Sequence, residues 1–215
     1  MLEAVAENLI AQGSYIYFRN GALTDVRETW AVFSWPEGKH CIRAARRAPS
    51  FGSSIQVEAW VSADAVTRFT VAWENTLPEA VRQANATYTL TPAEITVERV
   101  INSRPQPTLQ LPTPPNLVIS PLLRCFQGQA IAQAAQLGRG APVPVLVPWI
   151  HDPRNAELLL TPQLDRRSAK KLSREEQLDC YTYVGGNYDE AARFWLNDAG
   201  EMVRYEFEDW VVVRS

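Results

Sequence analysis

Apolar and polar residues alternate along most of this chain, which is the pattern of β-strands with one buried face and one solvated face. Near the C-terminus, Val203, Tyr205 and Phe207 alternate with charged residues. The segment Asn197–Gly200 precedes them, and its Asn, Asp and Gly residues favour a tight turn. The pattern predicts an antiparallel hairpin at this end of the chain.

The same alternation recurs upstream and predicts about ten strands in all. Asn20-Gly21 is the strongest two-residue hairpin signal in the sequence. Besides the C-terminal hairpin, alternation predicts strands at residues 15–19, 26–35, 40–45, 55–61, 69–73, 88–90, 95–97, 143–149, 158–164 and 180–184.

Two segments have helical spacing instead. Leu2 to Gln12 predicts a short amphipathic helix at the N-terminus. A longer helix is predicted from Pro121 to Leu137, with Ser120 as its N-cap and Gly138 as its end.

These elements predict a mainly β (α+β) protein. The expected architecture is a single large curved antiparallel sheet or half-barrel, with the long helix against its concave face. Five prolines between Ser103 and Asn116 mark the only plausible internal connection, at residues 103–116. We therefore expect residues 1–215 to form a single β-rich domain. Alternation alone leaves a closed barrel and a sandwich open as well.

The amino-acid composition argues against two classes of binding partner. The net charge of -3 argues against nucleic acid and against anionic membrane surfaces, because both need a dominant positive field. No apolar run reaches the length of a transmembrane helix, and Glu3 and Glu7 are unlike the start of a secretory signal. We expect a cytoplasmic protein, and the sequence predicts no oligomeric state.

No motif defines a reaction, and we expect neither a catalytic site nor a cofactor nor a metal. Cys41, Cys125 and Cys180 are an odd number at wide spacing, which favours free thiols over disulfides or zinc. The two histidines, His40 and His151, have no clustered ligand spacing around them. Glycine-rich phosphate loops are also missing.

The chain has seven tryptophans, all in or beside predicted strands. Such residues fill a β-core, or they line an apolar cavity between the sheet and the helix. The candidate ligand-binding residues are Trp60, Trp73, Phe126 and Trp195, with Arg43 or Arg46 near the mouth of the cavity. A second basic cluster at residues 166–174 is predicted to be a solvated loop.

Antiparallel strands around one long helix resemble the half-barrel of the LolA/LolB-like bacterial lipoprotein carriers and of uncharacterised bacterial proteins built on that fold. The resemblance is architectural. It depends on the hairpin at Asn197–Gly200, on the strand with Tyr205, Phe207 and Trp210, and on the helix from Pro121 to Leu137. It implies binding of acyl chains or other apolar ligands in the cavity.

The sequence therefore favours binding of a hydrophobic or amphipathic, lipid-like small molecule between the sheet and the helix. One alternative is an enzyme acting on a small substrate in that cavity, with His151, Asp152 and an arginine as its polar groups. Another is a protein-interaction module that uses the edge strand near the proline-rich stretch.

Overall fold

The computed structural model of the protein describes residues 7–35, 38–62, 65–78 and 81–215. These residues form sixteen strands and one α-helix, α1 (Arg124–Gly138). The strands are β1 (Asn8–Arg19), β2 (Ala22–Trp35), β3 (Lys39–Ala48), β4 (Ser53–Ser62), β5 (Ala65–Asn75), β6 (Gln83–Leu90), β7 (Glu94–Ile101), β8 (Arg104–Pro105), β9 (Leu109–Pro112), β10 (Val118–Ile119), β11 (Val143–Pro148), β12 (Pro162–Glu175), β13 (Leu178–Val184), β14 (Arg193–Leu196), β15 (Met202–Phe207) and β16 (Trp210–Arg214).

The chain divides into two compact units. Unit 1 comprises Met1–Ser14, Thr29–Thr113 and Ile150–Thr161, and unit 2 comprises Tyr15–Glu28, Pro114–Trp149 and Pro162–Ser215. Strands β1 and β2 therefore contribute residues to both units. One division, between Thr113 and Pro114, falls within the predicted proline-rich connection. The single domain expected from the sequence stays a prediction.

In unit 1, β3 to β7 follow one another as antiparallel neighbours, and β8 and β9 both pair with β7. Phe69 stacks on Tyr88 in the core, with ring centroids 4.2 Å apart. The Tyr88 hydroxyl donates a hydrogen bond of 2.6 Å to the carbonyl oxygen of Leu160. Buried Arg99 donates from Nη1 to the carbonyl oxygen of Leu159 at 2.9 Å. The core thereby fixes the segment that carries Leu159 and Leu160.

In unit 2, the strand order is β10 to β16 followed by β1, and β10 and β11 are a parallel pair. Helix α1 packs against β10, β11, β12 and β15. At Gly128, an added Cβ would lie 2.4 Å from the Gly200 carbonyl oxygen and 2.5 Å from the Met202 nitrogen. The helix and the start of β15 therefore touch backbone to backbone. The buried apolar residues of α1 are Phe126, Ala130, Ile131 and Ala134.

The prediction of a mainly β, antiparallel protein with one substantial helix is confirmed, but its count of about ten strands is too low. Strands β8 and β10 have only two residues each, so no alternation reveals them. The segment 166–174 is also not a loop, because it lies in β12. The half-barrel form stays a prediction.

The predicted N-terminal helix is wrong for residues 8–12, which belong to β1. The preceding residues 1–6 lie outside the described residues. Within unit 1, the Ser34 hydroxyl donates to the Asn8 carbonyl oxygen at 3.4 Å, a contact from the neighbouring strand β2. Apolar residues at helical spacing are a weak prior, and strand pairing overrides it here.

The long helix begins at Arg124, three residues after the predicted start. Leu122 has a positive φ of 65°, which a helix cannot continue through. Two tight turns form instead, with the nitrogens of Leu122 and Leu123 bonded to the carbonyl oxygens of Ser120 and Pro121, both at 2.8 Å. This turn sets the position of Arg124 at the N-terminus of α1.

Candidate functional site

The first turn of α1 in unit 2 is capped from another part of the chain. Its N-cap residue, Leu123, makes no side-chain capping bond, although the first amides of a helix need acceptors. The fully buried Glu28 of β2 accepts a hydrogen bond from the Cys125 nitrogen at 3.1 Å through Oε1. Its Oε2 accepts from the Tyr17 hydroxyl at 2.9 Å. A carboxylate here also suits the positive end of the helix dipole.

Arg124 is the first residue of α1, and its guanidinium is held on two sides. Nη1 donates to the Tyr188 hydroxyl at 2.8 Å and also to Oε1 of Gln127, one helical turn further on. Nε2 of Gln127 donates to the same Tyr188 hydroxyl at 3.1 Å. The guanidinium lies over the ring of Tyr205, 4.2 Å from its centroid. These contacts fix the plane and the direction of the Arg124 side chain.

The charge of Arg124 has no carboxylate partner among the residues that the structure describes. Its Nε is buried and makes no hydrogen bond. An unpaired buried cation is costly, because desolvation of the charge is not offset by an ion pair. Arg124 therefore retains an unused hydrogen-bond donor at Nε.

Arg167 on β12 provides the contrast. Its Nη2 lies 2.6 Å from Oδ2 of Asp165, and the pair is almost completely buried. A Cβ on Gly186 would lie 2.6 Å from that same Nη2, so a side chain at this position would displace the ion pair. The guanidinium lies 5.5 Å from the ring centroid of Tyr183 and 6.0 Å from that of Tyr188. Unlike Arg124, Arg167 is neutralised by its neighbour.

Tyr188 joins the two arginines and lies in an aromatic cluster. Its ring is half-buried, and its hydroxyl oxygen accepts two hydrogen bonds. Four rings have centroids between 5.4 and 6.0 Å from that of Tyr188, and they belong to Tyr183, Phe194, Tyr205 and Phe207. Most of these pairs are edge-to-face, the arrangement that aromatic quadrupoles favour.

The surroundings of Tyr188 alter its acidity. Burial disfavours its ionised form, but the charges of Arg124 and Arg167 and the hydrogen bonds from Gln127 and Arg124 outweigh burial and lower the pKa. For two neighbouring tyrosines burial dominates instead. It raises the pKa of Tyr205, and it raises the pKa of Tyr183 to about 12. The pKa values of adjacent phenols thus shift in opposite directions because the charges of Arg124 and Arg167 and two hydrogen bonds act together on Tyr188.

We expect Tyr188 to be the first tyrosine of this cluster to ionise as the pH rises. In a titration followed by phenolate absorbance, Tyr188→Phe should remove the earliest step, whereas Tyr183→Phe should remove a step near pH 12. The pKa of Tyr188 is lower in the folded protein than in the unfolded chain. Ionisation of Tyr188 therefore adds stability that is fully present above the pKa of the unfolded chain and is lost as the pH falls through the pKa of the folded protein. An unchanged first step in Tyr188→Phe would contradict this assignment.

Two of the ligand-binding residues predicted from sequence lie in unit 2. Phe126 is buried on α1, two residues after Arg124. Trp195 pairs across the strands with Arg204, whose guanidinium lies 5.3 Å from the centroid of its ring. Neighbouring Phe194 points to the other face, which is the face of Tyr205 and Arg124. Trp195 therefore lies on the face of β14 opposite the cluster.

The other four predicted residues lie in unit 1, on two different faces. Arg46 pairs with Ile55, and Ile55 pairs with the buried Trp73, so these three share a face. Trp60 and Arg43 lie on the opposite face of β4 and β3. Ligand binding by any of the six residues stays a prediction.

Arg43 is already paired. Its Nη1 lies 2.6 Å from a carboxylate oxygen of Glu7, and its Nε lies 2.8 Å from Oε1 of Glu58. The guanidinium also lies over the ring of Phe33, 4.9 Å from the centroid. With two carboxylates against one guanidinium, Arg43 has less capacity for an external anion than Arg124.

The described residues contain no group of three or more His, Cys, Asp or Glu side chains that could hold a metal ion. His151 and Asp152, the polar groups of the enzyme alternative, are exposed on one turn of unit 1, and His40 is half-buried on β3. All three cysteines are free thiols. Burial raises their pKa values, that of Cys41 to about 12, and thus disfavours nucleophilic thiolates.

Sequence reasoning missed Glu28, Arg124, Gln127 and Tyr188, and it placed Arg167 in a solvated loop. One signal was present, because Glu28 lies between Val26 and Trp30 at the inward positions of an alternating strand. A carboxylate at such a position needs a buried partner.

Comparison with protein-family models gave no match, and no curated protein matches the chain. Among solved structures, the chain is similar to a β-barrel-like protein of the domain of unknown function DUF1849 from Brucella abortus. The TM-score is 0.53 at 10% identity, over 98% of this chain and 97% of the other. This likeness shows the fold alone. It agrees with the predicted resemblance in fold to uncharacterised bacterial β-proteins, whereas the narrower resemblance to the LolA/LolB carriers stays a prediction.

Within the described part of the chain, no helix combines the length and the apolar character needed to cross a bilayer.

Proposed function

We propose that this protein binds a small amphipathic molecule in unit 2, with the polar head group of the ligand at Arg124. The observation that carries the proposal is that the buried Nε of Arg124 has no hydrogen-bond partner. In addition, the guanidinium has no carboxylate partner among the described residues. An anionic head group would supply the missing acceptor and the missing charge together.

The aromatic cluster supports the apolar part of the proposal. Tyr188 and Phe207 are half-buried rings with centroids 5.8 Å apart, so they combine apolar surface with access to solvent. Binding sites for small molecules typically combine such rings with a few fixed polar groups. Here Arg124, Gln127 and Tyr188 are the fixed polar groups, and their mutual hydrogen bonds hold them in place before a ligand arrives.

The packing of α1 limits where this ligand lies. The sequence suggested a site between the sheet and the helix, but at Gly128 the helix backbone touches residues 200–202 directly. That contact excludes a ligand between Gly128 and residues 200–202. Our proposal therefore places the ligand at the N-terminal end of α1, next to Arg124.

Native mass spectrometry tests this proposal on the intact chain, first as purified and then after incubation with decanoate. We expect a small-molecule adduct on the wild-type protein and loss of that adduct in Arg124→Gln. The matched control is Arg204→Gln, which removes the same charge from unit 2 on the opposite face, where Arg204 contacts Trp195 and Glu206. Equal occupancy in Arg124→Gln and wild type, or no adduct under either condition, would overturn the proposal.

A further inference from the structure

We infer that the ligand's head group is a carboxylate, bound side-on by the edge of Arg124 formed by Nε and Nη2. This inference rests on the proposed function and specifies its ligand class. It follows from which guanidinium N–H groups are already used, from how the side chain is held, and from the charge balance of the cluster.

The hydrogen bonds of Arg124 leave one edge of its guanidinium without a partner among the described residues. Both described hydrogen bonds of the side chain come from Nη1, one to Gln127 and one to Tyr188. Nε is buried without a partner, and no hydrogen bond from Nη2 exists among the described residues. The N–H groups of Nε and Nη2 point in parallel along one edge of the guanidinium. Their spacing matches the two oxygens of a carboxylate, which gives two parallel charge-assisted hydrogen bonds.

The orientation of this edge is fixed in advance. The centroid of the Tyr205 ring lies 4.2 Å from Cζ of the Arg124 guanidinium. Nη1 of the same guanidinium is held by its hydrogen bonds to Gln127 and Tyr188. A ligand therefore meets a guanidinium whose rotamer is already set, so little side-chain entropy remains to be lost on binding. Lysine could not reproduce this arrangement, because an ammonium group is a point charge without a planar fork.

The charge balance favours a singly charged head group. Arg167 is neutralised by Asp165, and Glu28 is engaged by the Cys125 nitrogen and by Tyr17. The hydrogen-bond donors to Glu28 are neutral and do not cancel its charge, so within the described residues of the cluster Arg124 is the guanidinium without a carboxylate partner, and a head group of low charge suits it best. A carboxylate carries one negative charge, whereas a phosphate monoester carries about −1.5 to −2 near neutral pH and would leave excess buried charge.

The test compares three ligands with the same chain and different head groups by isothermal titration calorimetry: decanoate, decyl phosphate and decanol. On the wild-type protein we expect decanoate to bind at least about tenfold more tightly than decyl phosphate or decanol. Only the carboxylate is expected to make the two parallel hydrogen bonds without excess charge. Equal affinity of decanoate and decanol would overturn the inference and leave the proposed function standing. Equal affinity of decanoate and decyl phosphate would also overturn it. If none of the three binds, the proposed function fails as well.

Arg124→Lys provides a second measurement that retains the charge and removes the Nε edge. We expect it to lose about tenfold or more in decanoate affinity and to lose little in decanol affinity. Arg204→Lys is the matched control, since the same replacement on the opposite face should leave both affinities unchanged. Circular dichroism establishes that each variant is folded. Unchanged decanoate affinity in folded Arg124→Lys contradicts the inference, and if that variant does not fold, the wild-type comparison decides alone.

Discussion

Replacing Gly128 with alanine is expected to lower the free energy of unfolding by about 3 kcal/mol, although alanine is the better helix former by about 1 kcal/mol. The new Cβ would lie 2.4 Å from the Gly200 carbonyl oxygen and 2.5 Å from the Met202 nitrogen. Both are backbone atoms of a turn and a strand, so neither moves without disturbing β15. Urea denaturation of the wild type and the variant measures the difference.

Gly138→Ala is the matched control for this prediction, because it makes the same change at the last residue of α1. There the nearest atom to a new Cβ is Cγ1 of Val143, at 3.1 Å, which belongs to a side chain that can adjust. We expect a change within about 1 kcal/mol of zero, since helix propensity and crowding oppose each other. If the two alanine variants unfold alike, α1 is not in direct backbone contact with β15.

Glu28→Ala is expected to cost about 3 kcal/mol as well, for a different reason. Glu28 is fully buried and accepts from the Cys125 nitrogen at 3.1 Å and from the Tyr17 hydroxyl at 2.9 Å. Removing the carboxylate leaves two buried donors without these acceptors, and each costs about 1–3 kcal/mol. Thermal and urea unfolding both report the loss.

Two companion variants separate this cause from simple loss of packing. Glu28→Gln retains one carbonyl acceptor and is expected to cost only about 1 kcal/mol. Adding Tyr17→Phe to Glu28→Ala should recover part of the loss, because the hydroxyl that donates to Glu28 is then removed together with its acceptor. Strictly additive losses in the double variant would mean that the Glu28–Tyr17 hydrogen bond is not a source of stability.

The strands were largely predictable because alternation is a local property. The partners of Val57, which are Ala44 and Val71, were each readable as inward positions from a few neighbouring residues. The strand around Leu9 and Ile10 was not predictable in this way, since the spacing of its apolar residues suits a helix as well as a strand. Pairing with the following strand β2, whose Ser34 lies 26 positions from Asn8, decides between them.

The site was less predictable because its contacts join distant parts of the sequence. Glu28 and Cys125 are 97 positions apart, and Arg124 and Tyr188 are 64 apart. No local pattern encodes such an encounter. What the sequence does reveal is a charged residue at an inward position, as with Glu28 and with Arg167, which shares its face with buried Ala169. A charged residue at an inward position therefore predicts that a buried partner exists, but it does not identify that partner.

The most direct test of the account is the NMR signal of the Arg124 Nε–H group in the intact protein, assigned by its absence from the Arg124→Lys spectrum. We predict that decanoate shifts this signal and slows its exchange with solvent, whereas decanol leaves it unchanged. If decanoate binds, as measured by calorimetry, while the Arg124 Nε–H signal does not respond, the head group lies elsewhere and the assignment of Arg124 as the binding residue is wrong.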